Sequence, residues 1–157
     1  MSRERTNARR YALQALYQWQ MAGQSLNEIE QQFRSEYDLS KTDVACFTEL
    51  LHGVPQQLNK INDELARFVD RPVEAIDPVE RSILWIGVYE LLNRPDVPFK
   101  VVLNEGVNLA KRFGGSKSHK FINGILDKVA HRQRAIETAS QDQSASADRH
   151  YEKKAEY

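Results

Sequence analysis

The amino-acid sequence predicts an all-α fold, and three observations support this prediction. Apolar residues recur at steps of three and four in one segment after another, which is the spacing of a helix face. No segment alternates apolar and polar residues as a half-buried strand would. The stretch 77–94 is apolar around nearly its whole circumference, which is typical of a helix covered on several sides. We therefore expect a helical domain built around this central helix.

The central helix has a clear start and is too polar to cross a membrane. Asp77 is a good N-cap, Pro78 suits the first helical position, and Glu80 completes a capping-box spacing. Glu80, Arg81 and Glu90 argue against a membrane span in a stretch of borderline length. We expect no membrane association.

The segment before the central helix predicts three helical regions. Residues 6–22 form a helical pattern that Gly23 ends, and Ser25 begins a short helix that ends near residue 37. On the first helix, Tyr17 and Leu13 fall away from the alanine stripe and are expected to be exposed; packing of Tyr17 on a neighbouring helix is the alternative. A third pattern spans 44–68, and Pro55 should kink it or divide it in two.

Two further helices are expected after the central one. Residues 99–113 form a helical pattern that Gly114 and Gly115 end, and Ser116 or Ser118 should cap the last helix. Gly124 interrupts that helix, and close helix packing is the favoured explanation, with a flat binding surface as the alternative. Residues 1–136 are predicted to form the domain. Residues 137–157 are polar and predicted to be a disordered tail.

The composition excludes several classes of function. A single cysteine excludes an internal disulfide and a multi-thiolate metal site, and the four histidines lack metal-ligand spacing. Gly114–Lys120 fails the phosphate-loop pattern, and no serine lies in a nucleophile-elbow motif. The start of the chain has no apolar run of a secretory signal. We expect a cytoplasmic protein that is not an enzyme and that binds no metal or other cofactor.

Charge is unevenly distributed although the formal net charge is zero. Residues 41–94 have a net charge of −3, whereas residues 95–136 have a net charge of +5. Basic and aromatic side chains concentrate at both ends, where they could form a groove for single-stranded RNA if the two clusters meet. Two separate, solvated basic faces are the alternative. The first cluster is Arg3, Arg5, Arg9, Arg10 and Tyr17, and the second is Lys111, Arg112, Lys117, Lys120 and Phe121.

Several short motifs together resemble the NusB family of transcription antitermination factors. The most specific are Ala12–Trp19 (ALQALYQW) and His119–Asp127 (HKFINGILD). Val79–Arg81, Asp96–Pro98 and Ala110–Gly114 add to the resemblance, which covers residues 3–130.

The resemblance implies a fold, partners and residue roles. The fold would be a compact domain of about seven helices in two packed bundles. The partners would be the boxA element of nascent ribosomal RNA, the ribosomal protein NusE and the antitermination complex of RNA polymerase. Tyr17 and Glu80 would bind NusE, and Leu13 is added to the partner-binding residues because it is expected to be exposed beside Tyr17. RNA would be bound by Arg3, Arg5, Arg9, Arg10, Phe68, Lys117 and Phe121, and Lys120 is added from the second basic cluster.

Two other functions remain open at this stage. NusB-like domains also occur as accessory domains of ribosomal RNA methyltransferases, although a glycine-rich cofactor loop is absent here. A scaffold that binds only proteins is the third possibility, and preference for one RNA sequence would distinguish the adaptor from it.

Overall fold

The structure is a computed structural model that describes residues 2–139, and within this range it is entirely helical. The all-α prediction is confirmed. A 3₁₀ turn, Val73–Ala75, precedes the central helix, and residues 135–139 add a helical turn after the last one. The seven α-helices in this part of the chain are α1 (Arg3–Ala22), α2 (Leu26–Glu36), α3 (Val44–Gln56), α4 (Leu58–Ala66), α5 (Pro78–Asn93), α6 (Phe99–Phe113) and α7 (Ser118–Gln133).

The helices form two bundles that share α5. Helices α1, α2 and α3 pack together, α6 and α7 pack on each other and on α5, and α4 lies against α5 and α7. Helix α5 contacts both groups, and every residue from Ser82 to Leu91 is buried, so its role as the central helix is confirmed. Gly87 permits close approach of α7, because a Cβ at this position would lie 2.7 Å from Leu126. None of the described helices is both long and apolar enough to cross a membrane.

Local capping explains the boundaries of the first helices. The Ser2 hydroxyl accepts a hydrogen bond from the Arg5 backbone amide at 3.0 Å, so α1 begins three residues before the predicted start. Gly23 ends it with φ 65°. Ser25 caps α2 as predicted. The 44–68 pattern is divided in two, since α3 ends one residue after Pro55 and α4 begins at Leu58.

The turn between α6 and α7 differs from the prediction. Lys117 occupies the N-cap of α7, and neither Ser116 nor Ser118 caps it. Instead, the Ser118 hydroxyl accepts a hydrogen bond from the Gly115 amide at 3.0 Å, which stabilises the turn. Gly124 is exposed, and nothing lies within 4 Å of where its Cβ would be, so the close-packing explanation is wrong.

The packed domain extends past the predicted boundary at residue 136. Arg134 donates hydrogen bonds to four backbone carbonyls at the end of α5 and in the loop that follows it. A Glu137 oxygen accepts from the Phe99 amide at 2.9 Å, where α6 begins without another side-chain cap, and Thr138 is buried. Glu137 and Thr138 are therefore part of the domain. Residues 140–157 of the predicted tail lie outside the described residues.

Candidate nucleic-acid and protein interfaces

Arg9 is buried, which corrects the expectation that it binds RNA. Its side chain is 2% exposed, and Nε and Nη2 donate to the two oxygens of Glu90 at 2.7 and 2.8 Å. Nη1 donates to Glu105 Oε1 at 3.1 Å, and the Thr6 hydroxyl donates to the same oxygen at 2.6 Å. Although burial by itself lowers the pKa of Arg9, its hydrogen bond to Glu90 and the two carboxylate charges raise that pKa above the ordinary value. Arg9 anchors α1 to α5 and α6.

The other N-terminal arginines are accessible to different degrees. Arg3 is exposed. Arg5 is half-buried, with Nε 3.6 Å from Asp43 and Nη1 3.9 Å from Asp96. Arg10 is also half-buried and donates to the Asn7 side chain at 2.8 Å. These three side chains, unlike Arg9, reach the surface at the start of α1.

Arg5 of the first predicted basic cluster and Lys117 of the second lie far apart, which favours the alternative of two separate basic faces over a single groove. Arg5 lies beside Asp96, in the loop that leads into α6, whereas Lys117 follows the end of α6. The 15 residues of α6 separate these two places by about 22 Å at the usual helical rise. Arg5 and Lys117 therefore lie near opposite ends of α6, whereas Tyr17 of the first cluster lines a groove with Phe113, which is next to Arg112 of the second.

A groove between the end of α4 and α7 contains basic and aromatic side chains. It has a volume of about 600 Å³ and is lined by Arg67, Phe68, Asp127, Lys128, His131 and Arg132. At the other end of α7, the guanidinium of Arg71 lies 5.2 Å from the centre of the Phe121 ring. Rings beside cations can stack with unpaired bases and bind phosphates.

We call the groove and the Arg71–Phe121 end of α7 together the basic and aromatic face. The sequence predicted Phe68, Lys117, Lys120 and Phe121 as its RNA-binding residues, and both lysines are exposed. It did not predict Arg67, Arg71 and Arg132. Arg71 lies in a connector, and its position over Phe121 depends on the packing of α4 and α7. The proximity of Arg71 to Phe68 in the sequence was the only available signal.

A second open groove is apolar and lies on the first bundle. It has a volume of about 500 Å³, between α1, the end of α2 and the side chains of Val79 and Phe113. Three exposed apolar side chains border it: Tyr17 (39% exposed), Met21 (61%) and Tyr37 (39%). Contiguous exposed apolar surface of this kind is typical of a protein-binding site.

The predicted partner-binding residues occupy different places relative to this apolar groove. Tyr17 is exposed on its rim, as predicted. Leu13 is 2% exposed, so the expectation of an exposed Leu13 is wrong; it forms part of the floor because α1 packs on α2, α3 and α5 at once. Glu80 is half-buried and directly follows Val79, which lines the groove. Met21 and Tyr37 were missed.

A polar network lies beside Arg5 and includes Asp96, Arg94 and Glu49. Arg94 binds both Asp96 oxygens at 2.9 Å and a Glu49 oxygen at 2.6 Å. The hydrogen bond from Arg94 lowers the pKa of Asp96 to about 2. Burial and the hydrogen bond to Glu49 raise the pKa of Tyr89 to about 12. Both shifts arise from contacts that tie α5 to α3 and to the loop after α5.

Among residues 2–139, neither Cys46 nor the possible metal ligands form a metal site. Burial raises the pKa of the Cys46 thiol to about 11, which suppresses the thiolate that would react or bind a metal. Within residues 2–139, no group of three or more His, Cys, Asp or Glu side chains could hold a metal ion.

Comparison with known proteins identifies the family. The sequence model of the NusB family matches residues 6–131. The transcription antitermination protein NusB of Pseudomonas fluorescens is 53% identical over 136 residues, which cover 87% of this chain and 82% of the relative. The protein of the same name from Nitrosococcus oceani is 51% identical over 140 residues, which cover 89% and 94% of the two chains.

Two solved structures have the same fold. The structure of T. maritima NusB superposes with a TM-score of 0.70 at 29% identity, covering 83% of this chain and 92% of that one. A chain in the crystal structure of the antitermination factors NusB and NusE in complex with dsRNA has a TM-score of 0.67 at 23% identity, covering 84% of this chain and 99% of that one. The match of the family model, which extends over most of the domain, shows that the chain belongs to the NusB family.

Proposed function

We propose that this chain is an RNA-binding adaptor for transcription antitermination. It binds the boxA element of nascent ribosomal RNA together with the ribosomal protein NusE, and it promotes read-through by RNA polymerase in the cytoplasm. The main support is the similarity to antitermination proteins over most of their length. The adaptor has no catalytic activity of its own.

The basic and aromatic face suits RNA. Phe68 and Phe121 are partly buried in the core, which orients their rings, while Arg71 and the exposed Lys117 and Lys120 supply positive charge. Stacking on fixed rings favours unpaired bases over a regular duplex, whose bases are already stacked. We therefore assign RNA binding to this face, with Arg3, Arg5 and Arg10 as further phosphate contacts at the start of α1.

The apolar groove suits a protein partner. Tyr17 and Met21 offer exposed apolar surface, and Glu80 adds a carboxylate next to the groove. A basic ribosomal protein with an apolar anchor would match both features. We assign NusE binding to this groove, which leaves the basic face available for RNA at the same time.

Two substitutions test this division of the surface. Phe121→Leu keeps an apolar side chain against the core but removes the aromatic face, and stacking contributes about 1–3 kcal/mol per base. We expect weaker binding of boxA RNA and unchanged binding of NusE. Tyr17→Ala should give the opposite result, so each variant is the control for the other.

The assay is fluorescence anisotropy with labelled boxA RNA and with a scrambled RNA of equal length, each with and without NusE. Preference for boxA that increases when NusE is added supports the adaptor. Equal affinity for the two RNAs under both conditions would refute it, and NusE binding alone would leave a protein-binding scaffold.

A further inference from the structure

One side of α7 carries a regular row of residues that runs beside the groove between the end of α4 and α7. Lys117, Phe121, Gly124, Lys128 and Arg132 follow one another at steps of four, three, four and four, which places them on one face. The row is about 22 Å long at the rise of an α-helix. Arg71 stacks on Phe121 at one end, while Arg67 and Phe68 line the groove with Lys128 and Arg132 at the other.

Gly124, at the middle of this row, is not required by the fold. A Cβ on Gly87 or Gly106 would lie 2.7 or 2.8 Å from Leu126, so packing explains those two glycines. At Gly124, a Cβ would have nothing within 4 Å, and the residue is exposed. Glycine destabilises the interior of a helix relative to alanine. Gly124 lies between Phe121 with Arg71 and Phe68 with Arg67, and its missing side chain leaves room there for a bound ligand.

The C-terminal part of the row, at Lys128 and Arg132, has an excess of positive charge. Glu64 is the buried carboxylate behind the groove, and two arginines share it: Arg132 Nε at 3.1 Å and Arg67 Nε at 3.5 Å. Lys128 adds a third cation, and Asp127, which is 3.5 Å from His131 Nδ1, is the one acidic residue among those that line the groove. Arginines that are only partly neutralised bind phosphate well, because their remaining N–H donors stay available.

We propose that a single RNA strand lies along this row, that its backbone passes over Gly124, and that Lys128 and Arg132 bind its phosphates. This inference rests on the proposed function and extends it, since RNA contact would continue along the whole of α7 and past the turn at Lys117–Phe121. Bases stack at two stations, Phe121 and Phe68.

The row runs along α7 toward the N-terminal arginines. His131, near the end of α7, lies with its ring 6.5 Å from that of Phe99, the first residue of α6. The loop just before Phe99 contains Asp96, which neighbours Arg5. A strand that follows α7 from Lys117 to Arg132 therefore ends at the same end of the domain as the N-terminal arginines.

The first test changes the shape of the row without changing its charge. Gly124→Gln should raise the thermal midpoint, because glutamine is a better helix former, and it should weaken boxA binding at least tenfold by filling the open position. Ala45→Gln, an exposed position on α3, places the same side chain on a helix of the other bundle and should leave RNA affinity unchanged. A Gly124→Gln variant with wild-type RNA affinity would overturn the proposal.

The second test removes one charge and has a closely matched control. Arg132 and Arg34 are 48% and 47% exposed, and each is paired with a glutamate, at 3.1 and 3.2 Å. Loss of one phosphate contact on a single strand should reduce the slope of log affinity against log salt by about 0.7. We expect this reduction for Arg132→Ala and no change for Arg34→Ala.

The two tests separate this inference from the proposed function. If the wild-type chain prefers boxA but Gly124→Gln binds as it does, or Arg132→Ala keeps the wild-type salt slope, the row is not an RNA track although the adaptor function stands. If the wild-type chain shows no preference for boxA, both fail. A thermal melt of Arg132→Ala reports any loss of folding, and in that case Lys128→Ala, at an exposed position, replaces it with the same expected change in slope.

Discussion

Replacing Arg9 by alanine should destabilise the domain strongly, although the residue belongs to an arginine-rich segment that the sequence marks as an RNA contact. The substitution removes three hydrogen bonds and the positive charge between two carboxylates. Glu90 and Glu105 are each only 3% exposed, so water cannot replace the lost guanidinium without opening the contact between α1 and α5.

The expected loss of stability can be bounded from this geometry. Removing one partner of a buried ion pair destabilises a protein by about 3–5 kcal/mol, because an uncompensated charge stays buried. The Thr6 hydroxyl still donates to Glu105, which favours the lower half of this range. Domains of this size unfold with a total of about 5–15 kcal/mol, so a loss of about 4 kcal/mol removes a quarter or more of the stability.

Urea unfolding followed by circular dichroism measures the loss, with Arg10→Ala as the control. Arg10 is the next residue and is half-buried, and its side chain donates to Asn7 without a buried carboxylate partner, so its replacement should change the free energy of unfolding by about 0.5 kcal/mol or less. If Arg9→Ala unfolds at the same urea concentration as Arg10→Ala and instead weakens RNA binding, the assignment of Arg9 as an anchor is refuted.

Three other substitutions have defined outcomes. Gly87→Ala should destabilise the domain by about 1–3 kcal/mol in urea unfolding, since the new methyl group would lie 2.7 Å from Leu126. Glu137→Ala should lower the free energy of unfolding by about 1 kcal/mol, because the Phe99 amide at the start of α6 loses its acceptor. Tyr89→Phe should remove part of the alkaline loss of stability. The folded-state pKa of Tyr89 is raised to about 12, so its contribution is present below the ordinary value near 10 and is lost as the pH rises toward 12. Unfolding curves of wild type and variant between these pH values check the sign, and parallel curves would contradict it.

The sequence predicted the frame well because local signals and burial agree there. Pro78 and Asp77 define the start of α5, and its apolar circumference defines its place between the bundles. Gly23 and Ser25 mark a helix end and a helix start by backbone rules that need no tertiary contact.

The predictions that failed depend on contacts between distant segments. The partners of Arg9 are 81 and 96 residues away, so nothing local distinguishes it from Arg10. The sequence did contain a signal at Glu90, the partner of Arg9. Glu90 lies inside the apolar central stretch, and a buried carboxylate needs a cation beside it. The exposure of Leu13 failed because α1 has neighbours on several sides, which widens its buried face beyond the alanine stripe.

The arginines at the start of the chain therefore divide into two roles that a charge count cannot separate. Arg9 uses the planar fork of its guanidinium to bind Glu90 with two parallel hydrogen bonds and Glu105 with a third, which a lysine could not reproduce. Arg3 and Arg10 need only positive charge near the surface if they bind phosphates. The anchor and the surface arginines are also physically coupled, because Arg9 fixes the first turns of α1 on α5 and α6. Arg3 and Arg10 thereby keep a fixed position relative to the end of α7, which the proposed RNA strand along α7 requires.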